Sequence, residues 1–512
     1  MNQAPSKPTV ANRSIRNCRN ALAALSLLAL VACAAAPAKL DTPTLRDTAP
    51  LAGVSTTTQA GWPQAQWWTA YEDATLNQLM ATAMQQSPDL ALAESRVRGA
   101  EQSARMAAAQ AGLSINGQVQ VARQRMSDNG LIPSKFLGFS WYNQADVGVQ
   151  LDYDFDWWGK QRASIEAALD QTHASEAQRS AAALAIQYAV TDTYFGWQAD
   201  QARLQLADAA VATQEKLAHI AQLRVRQGID LPDTLQTATA QLAAARQMQV
   251  ALHGSAEIRR VALASLLGIA PAQLPALHVK PLPEVTSTLP TDAGLDLLAR
   301  RPDITASRWQ VEAALRQTDV ARAQFYPDLS ISALAGLSSI DLGKLATAGS
   351  RTFGLTPALH LPIFNAGRLQ ANYGMSRAQL DSAVAQYNNT VVTAAREVAT
   401  QVTSAQQTAA RRQQQQIQIT ADEQVLANAR ARQRQGVRDA REALGAYAQL
   451  LQQRDAAAQL QAQALSTDLN LIRALGGGYH RIDPPNSPSS DRRKDAATSS
   501  LPSAGTVSHE RH

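Results

Sequence analysis

A run of helix-forming residues that occurs twice limits this chain more than any other feature. The first copy runs from Gly159-Lys160 to Gly228 and holds no proline before Pro232. The second runs from Gly367-Arg368 to Gly436 and holds none before Pro484. A return arm follows each, ending at Gly268 and Gly476. All three glycine pairs share one offset of 208 residues, so the two stretches keep the same length throughout. Their filling is Ala, Gln, Leu, Arg and Glu, the strong helix formers. Small and apolar residues recur by sevens, as coiled-coil packing requires. Leu444, Leu451, Ala458 and Leu465 mark one return arm, and Leu235, Ala238, Leu242, Ala245 and Leu252 mark the other. Val391, Ala394, Val398, Val402 and Ala405 mark the second outward arm. Each unit therefore reads as a helix out, a tight tip and a helix back. At 1.5 Å per residue each outward helix reaches roughly 100 Å, far beyond the usual globular helix. A cytoskeletal-type rod is the competing reading of this stretch alone, and the flanking sequence argues against it.

Composition removes several classes. Aromatic residues at 5% and a mean hydropathy of −0.23 exclude a polytopic helical membrane protein. The net charge of +5 is modest for 512 residues, and its cations are scattered among Asp and Glu. That is a solvated surface and not a nucleic-acid footprint. Residues 1–32 read as a secretory signal, with Arg13, Arg16 and Arg19 before the apolar run Ala21 to Ala32. The run ends in Leu30-Val31-Ala32-Cys33, which resembles the bacterial lipoprotein processing box, where the cysteine is acylated and starts the mature chain. An uncleaved anchor, or a plain signal with an incidental cysteine, is the alternative. Cys18, the other of the two cysteines, falls in the part removed, so the mature chain has no disulfide. Ala34 and Ala35 follow Cys33, and the absence of an acid there favours outer-membrane sorting in the lipoprotein pattern.

Residues 33–70 form a Pro/Thr/Ala-rich extended segment, closed by Trp67-Trp68, Tyr71 and Asp73 where the first helix opens. Paired tryptophans of this kind read as helix packing. Two repeats follow, over residues 71–268 and 291–478, joined by a five-proline connector at 269–290. Ser87-Pro88-Asp89-Leu90 and Arg301-Pro302-Asp303-Ile304 start matching short helices, with proline early and a carboxylate in the first turn. Each short helix leads into two strands that alternate apolar and polar. Leu113 to Val121 presents Leu113, Ile115, Val119 and Val121 on one face. Ala145 to Asp156 sets Val147, Val149, Leu151, Tyr153 and Phe155 against Asp146, Gln150, Asp152, Asp154 and Asp156. The second copy alternates more weakly, through Leu329, Ile331, Ala333 and Ala335, then Phe353, Leu355, Leu359, Leu361 and Ile363. Stretches of this length match tilted membrane-spanning strands, the alternative being an amphipathic soluble sheet. Residues 124–143 and 338–351 read as loops, and 479–512 as a disordered polar tail. Four strands cannot close a barrel, and lipid does not tolerate an open edge. The smallest membrane barrels have about eight strands, so a chain spanning a bilayer this way assembles with copies of itself.

The signal with Cys33, the duplicated halves, Asp156-Trp157-Trp158-Gly159-Lys160 and Leu361-Pro362-Ile363-Phe364-Asn365-Ala366-Gly367-Arg368 together resemble the TolC-like outer-membrane efflux family. Its lipoprotein branch, associated with resistance-nodulation-division (RND) pumps, is the nearest match, over about residues 40–478. The resemblance implies a mostly α, α+β chain. Its long antiparallel coiled coils would form a periplasmic α-barrel, and its four strands a share of a trimeric 12-stranded β-barrel. It implies a homotrimer in contact with outer-membrane lipid, a passive exit duct for small toxic compounds, and as partners a periplasmic adaptor and an inner-membrane RND pump. Trp158, Gly159, Pro362, Phe364 and Gly367 then mark the strand–helix junctions. The periplasmic aperture and adaptor-contacting tip fall on Gly228, Asp230 and Asp233, and on Gly436, Arg438, Asp439, Arg441 and Glu442. Glu442 takes the place of the family's usual first acid, and Gly445 stands where a second often sits. With Arg438 and Arg441 close by, the tip is mixed in sign and suggests Arg–carboxylate pairing that holds it closed. A periplasmic adaptor lipoprotein, or the outer-membrane component of a type I protein secretion system, is the alternative function. An adaptor, however, carries one hairpin and no duplicated pair of membrane-length strands.

Catalytic and metal patterns do not occur. The eight histidines are far apart, without HExxH spacing, and neither a phosphate-cradling glycine loop nor a GxSxG elbow is found. His360, on a strand, reads as a pore-facing or interface residue. The expectation is a non-enzyme with no cofactor or metal, whose one covalent group is the lipid on Cys33. Cys33→Ser should abolish incorporation of labelled palmitate yet leave oligomers in the membrane, because the barrel itself holds the bilayer. Palmitate still entering the variant would remove the lipoprotein assignment.

Overall fold

The computed structural model describes residues 37–38, 44–51, 61–129, 133–284 and 293–480. The expected signal, Cys33 and almost all of the tail lie outside the described residues. Two copies of one series of elements make up the rest. The first comprises α1 (Ala74–Gln86), α2 (Pro88–Gln110), β1 (Ser114–Arg125), β2 (Trp141–Phe155), α3 (Lys160–Arg226) and α4 (Pro232–Leu267). The second comprises α5 (Ala293–Arg300), α6 (Pro302–Ala323), β3 (Asp328–Ser339), β4 (Arg351–His360), α7 (Arg368–Arg434) and α8 (Ala440–Ala474). Both outward helices, α3 and α7, have 67 residues.

The helix-start signals at the two prolines act where they were expected, and the one at the tryptophan pair does not. Pro88 and Pro302 open α2 and α6 in the first turn. Trp67-Trp68 does not open α1. Trp67–Tyr71 is a separate 3-10 turn, and Glu72 at φ 51° breaks the chain before the helix. Asp73 then caps α1, its Oδ1 accepting from the N–H groups of Thr75 (2.9 Å) and Leu76 (3.4 Å).

Each long helix serves two layers. In its first half α3 lies between α2 and α6, and in its second half between α4 and α8. α7 packs on α6 in its first half and on α8 in its second, so the half remote from the sheet reads α4–α3–α8–α7. Where the layers overlap, two cores form. One gathers Trp67 of the 3-10 turn with Leu76, Leu79, Tyr194, Phe195, Leu263, Leu267 and Leu465 from α1, α3, α4 and α8. The other gathers Ile304, Val311, Val391, Ala394, Val398, Val402 and Leu471 from α6, α7 and α8. The described part of the connector is strapped to the first core by polar groups. Lys280 Nζ donates to Asp73 (2.9 Å), Tyr194 Oη donates to Asp73 (2.8 Å), and Gln198 bridges Tyr194 and the Lys280 backbone. Two helices remain at the layer's edges. α4 exposes Met248, Val250, Ile258 and Val261, and α7 exposes Ile417 and Val425.

The strands form one antiparallel sheet in the order β1-β2-β3-β4. Val119, Val147, Leu337 and Arg351 lie abreast, as do Gly117, Val149, Ala335 and Phe353. The alternating apolar residues of all four strands therefore share one face, with Leu334 the exception, abreast of Gln150 on the opposite side. Gln118, Gln150, Asp152, Ser332 and Thr356 share the other, where Ser332 Oγ donates to Asp152 (2.6 Å) and Ser338 Oγ to Asp146 (2.6 Å). Strand bounds differ from the expectation. β1 runs on to Arg125 and β2 begins at Trp141, since pairing continues through Arg125↔Trp141 into residues that read as loop. β4 spans Arg351–His360 and excludes Leu361 and Ile363, because Pro362 has no N–H to continue the ladder. Among the described residues no helix is long and apolar enough to cross a membrane. Arg placed for Val149 or Leu151, at the middle of the apolar face, should cost about 2–4 kcal/mol per protomer. Arg for Gln150, on the polar face, should be mild. Membrane-inserted oligomer resolved on gels checks both, and equal losses would mean that the apolar face does not meet lipid.

Candidate functional site

The two hairpin tips lie side by side because α3 and α8 pack along their outer halves. Their backbones are built alike. Ile229 N–H returns to Arg224 O (2.9 Å), and Val437 N–H to Arg432 O (3.0 Å). The reversal needs a left-handed residue, supplied by Gly228 (φ 69°) and Gly436 (φ 70°). On this common backbone the copies carry opposite charge. Asp230 and Asp233 of the first tip correspond, 208 residues on, to Arg438 and Arg441 of the second.

That inversion lets the tips bind each other. Arg224 forks onto Asp230, Nε to Oδ2 at 2.8 Å and Nη2 to Oδ1 at 3.0 Å. It also faces Asp439 at 4.0 Å. Arg441 donates to Asp439 (2.9 Å) and crosses to Asp230 Oδ2 (3.3 Å). Asp439 in turn caps α8 by accepting from the Arg441 N–H (2.9 Å). Two arginines and two carboxylates thus form a closed ring across both hairpins, with the Asp230 side chain only 15% exposed. Charge-assisted, partly bidentate pairs of this kind are the stronger class of hydrogen bond.

Not every expected tip residue joins the ring. Arg438 pairs with Glu442 at 3.6 Å within its own tip, and Glu442 also accepts from Arg432. Asp233 stands exposed in the first turn of α4. Gly445 lies within α8 beside a cavity of about 550 Å³ between α3, α4 and α8, lined by Ala210, Ala244, Met248 and Ala448. Arg224 was missed by the sequence reading. Its signal was present: the offset of 208 aligns it with Arg432, next to two sites of charge reversal.

At the other end of the helices the strand–helix junctions are braced by aromatic and polar contacts. Trp158 Nε1 donates to Pro327 O (2.8 Å), and its ring stacks on Tyr326 at 4.5 Å. Gly159 and Gly367 precede α3 and α7 in left-handed conformation (φ 74° and 82°). Asp156 caps α3 from three residues before Gly159, accepting from Gln161 (3.0 Å) and Arg162 (2.9 Å) N–H groups. Lys160 Nζ reaches Asp328 at 3.2 Å, so the first copy's junction is tied to the second copy's strand. Pro362 ends the β4 ladder, and Phe364 is 88% exposed beside it. Among the described residues no group of three or more His, Cys, Asp or Glu is placed to hold a metal.

A sheet with one apolar and one polar face, continued by a helical layer roughly 100 Å long, defines an outer-membrane channel subunit with a helical periplasmic body. The chain belongs to the outer membrane efflux protein family, whose profile matches residues 79–269 and 295–477. It is 32% identical over 427 residues to the multidrug resistance outer membrane protein MdtP of Escherichia coli K12, covering 82% of this chain and 88% of that one. It is 33% identical over 431 residues to MdtQ of Escherichia coli O157:H7, covering 82% and 89%. The crystal structure of the outer membrane protein VceC from Vibrio cholerae superposes with a TM-score of 0.74 at 33% identity, covering 82% of this chain and all of that one.

Hydrogen bonds from Arg224 and from Arg441 hold the carboxyls of Asp230 and Asp439, respectively, below the usual carboxylate range. A carboxylate with a depressed folded pKa adds stability above its unfolded value of about 3.9, and loses it as pH falls through the folded value. The ring should therefore survive from neutral pH to about pH 4 and part only below it. Spin labels at Gln227 and Gln435 should keep one narrow distance distribution down to pH 5 and broaden only under pH 4. Broadening already between pH 6 and 5 would assign tip cohesion to another group.

Proposed function

We propose that this chain is the exit duct of a tripartite efflux pump. It assembles as a homotrimer and passively carries small toxic compounds from a periplasmic adaptor and an inner-membrane RND pump to the outside. One observation supports this best: sheet and helical layer are open at matching edges, β1 and β4 in one, α4 and α7 in the other. Copies placed in succession close both layers at once. Two copies would make an eight-stranded barrel, whose interior side chains fill. Three make 12 strands and leave a lumen. The polar face of the sheet, with Asp146, Asp152 and Asp154, then lines a wet channel without catalysis or cofactor. A type I protein secretion duct would use the same body, and relatives named for multidrug resistance favour drug export.

Lipidation at Cys33 fits the described segment that follows it. Arg322 Nε donates to Pro37 O (2.9 Å) and Tyr373 Oη to Ala38 O (3.4 Å), at the end of α6 and the start of α7. Arg46 and Tyr387 then fix the chain farther along α7. Four residues span at most about 14 Å, so Cys33 is within reach of the membrane-side junctions.

The tip ring acts as the closure of the periplasmic aperture. Arg224→Ala with Arg441→Ala removes both cross-hairpin cations and should raise conductance in planar bilayers several-fold, with a stronger preference for cations. Arg438→Ala, confined to one tip, should change little. Unaltered conductance of the double variant would leave the ring as surface charge. Deletion of the gene should raise drug susceptibility, and an unchanged profile across cationic dyes, detergents and antibiotics would count against the duct.

A further inference from the structure

The strands distribute charge in a way that the duct does not require. Their four carboxylates, Asp146, Asp152, Asp154 and Asp328, all lie on the polar face. Their three arginines all lie on the apolar face, and all at the end remote from the helices. Arg125 is abreast of Trp141, Arg123 of Asn143, and Arg351 of Leu337 and Val147. Arginine on the lipid side of a membrane strand is costly at mid-bilayer and nearly free at the interface. These three therefore sit at headgroup level. Aromatic residues of the kind that form interfacial girdles accompany them. Trp141 is 55% exposed with Arg123 over its ring at 5.7 Å, and Phe136 is 75% exposed beside Lys135. A second belt, Tyr153, Phe155 and Trp157, stands at the helix end of β2. From Trp141 to Phe155 the strand is about 46 Å long, which at a tilt near 45° spans about 33 Å, the height of a bilayer between its interfaces.

The pairing of these cations leaves them available. Arg123 and Arg351 have no carboxylate partner among the described residues, and Arg125 reaches only the exposed Asp128, at 3.9 Å. Arg123 and Arg125 belong to one open edge of the sheet and Arg351 to the other. Closing the ring brings Arg351 of one copy to the same seam as Arg123 and Arg125 of the next. We propose that this seam is a lipid-headgroup site, where Arg123, Arg125 and the next copy's Arg351, flanked by Trp141, bind the phosphates of the phosphorylated glycolipid of the outer leaflet. Guanidinium matches phosphate in a bidentate fork, and the adjacent apolar face accepts the acyl chains. The site rests on the reading of the sheet as a barrel with its loops outside.

The test uses the full-length oligomer in detergent, with diphosphoryl lipid A and its dephosphorylated form as probes. The parent should bind the phosphorylated probe at least tenfold more tightly, and the preference should shrink as salt rises. Each Arg→Gln change should cost about fivefold in affinity for the phosphorylated probe. Arg123→Gln, Arg125→Gln and Arg351→Gln combined should abolish the preference, and the matching Arg→Lys triple should keep much of it. Arg162→Gln, an equal loss of charge at the helix end, should leave it intact. Equal binding of both probes by the parent, or a preference that survives the single and triple Gln changes, overturns the site. Should the triple not assemble, the parent's probe and salt dependence and the single variants still decide. Phe136→Cys on intact cells separates the two readings. Labelling by an impermeant maleimide with no phosphate preference sinks the lipid site alone. No labelling removes the loops-outside orientation and the site with it.

Discussion

Hydrocarbon offers no partner to the backbone N–H and C=O groups at the edge of a sheet, and one chain of this protein leaves two such edges, β1 and β4. The helical layer repeats the difficulty in another form, since α4 and α7 end it with apolar residues exposed. Both layers become whole only by succession of copies. The duplication within the chain prepares this, because each half already presents two strands and a long hairpin in the same order. A junction tied across the halves, as between Lys160 and Asp328, keeps sheet and helices in fixed relation.

Within that frame, small departures from exact repetition carry the specific chemistry. The two tips share a backbone to within a few tenths of an ångström in their closing hydrogen bonds, yet Asp230 and Asp233 are replaced by Arg438 and Arg441. Identical tips would repel. Inverted ones attract, and the result is the ring of Arg224, Asp230, Arg441 and Asp439. The sheet shows the same economy: its acids keep to the polar face and its arginines to the rim of the apolar one. Opposite charges are thereby held apart on two sides of one sheet, where lumen and lipid headgroups make different demands.

Much of this was legible because long helices and membrane strands are written locally. Propensity and heptads marked α3, α4, α7 and α8, and Gly228 and Gly436 marked their reversals, since only the left-handed region closes the turn. Alternation identified which face of each strand is apolar. It did not define where strands stop: pairing continues past Val121 to Arg125, and Pro362 ends β4 before the apolar pattern does. Trp67-Trp68 looked like a helix start and is a packed 3-10 turn, a choice made by burial against α3 and not by propensity.

By itself, the sequence determined the duplication, the length of the helices, the faces of the strands and the need for partner copies, all properties that depend on neighbours in the chain or on counting. The tertiary structure alone decided which helices are inside and which remain at the edges. It also decided which tip arginines meet carboxylates. Arg224 and Asp439 are 215 residues apart in sequence, and Arg441 and Asp230 are 211 apart, so no local pattern pairs them. Their meeting follows from the packing of α3 on α8 over the outer half of the body, a contact between two helices that each look complete alone.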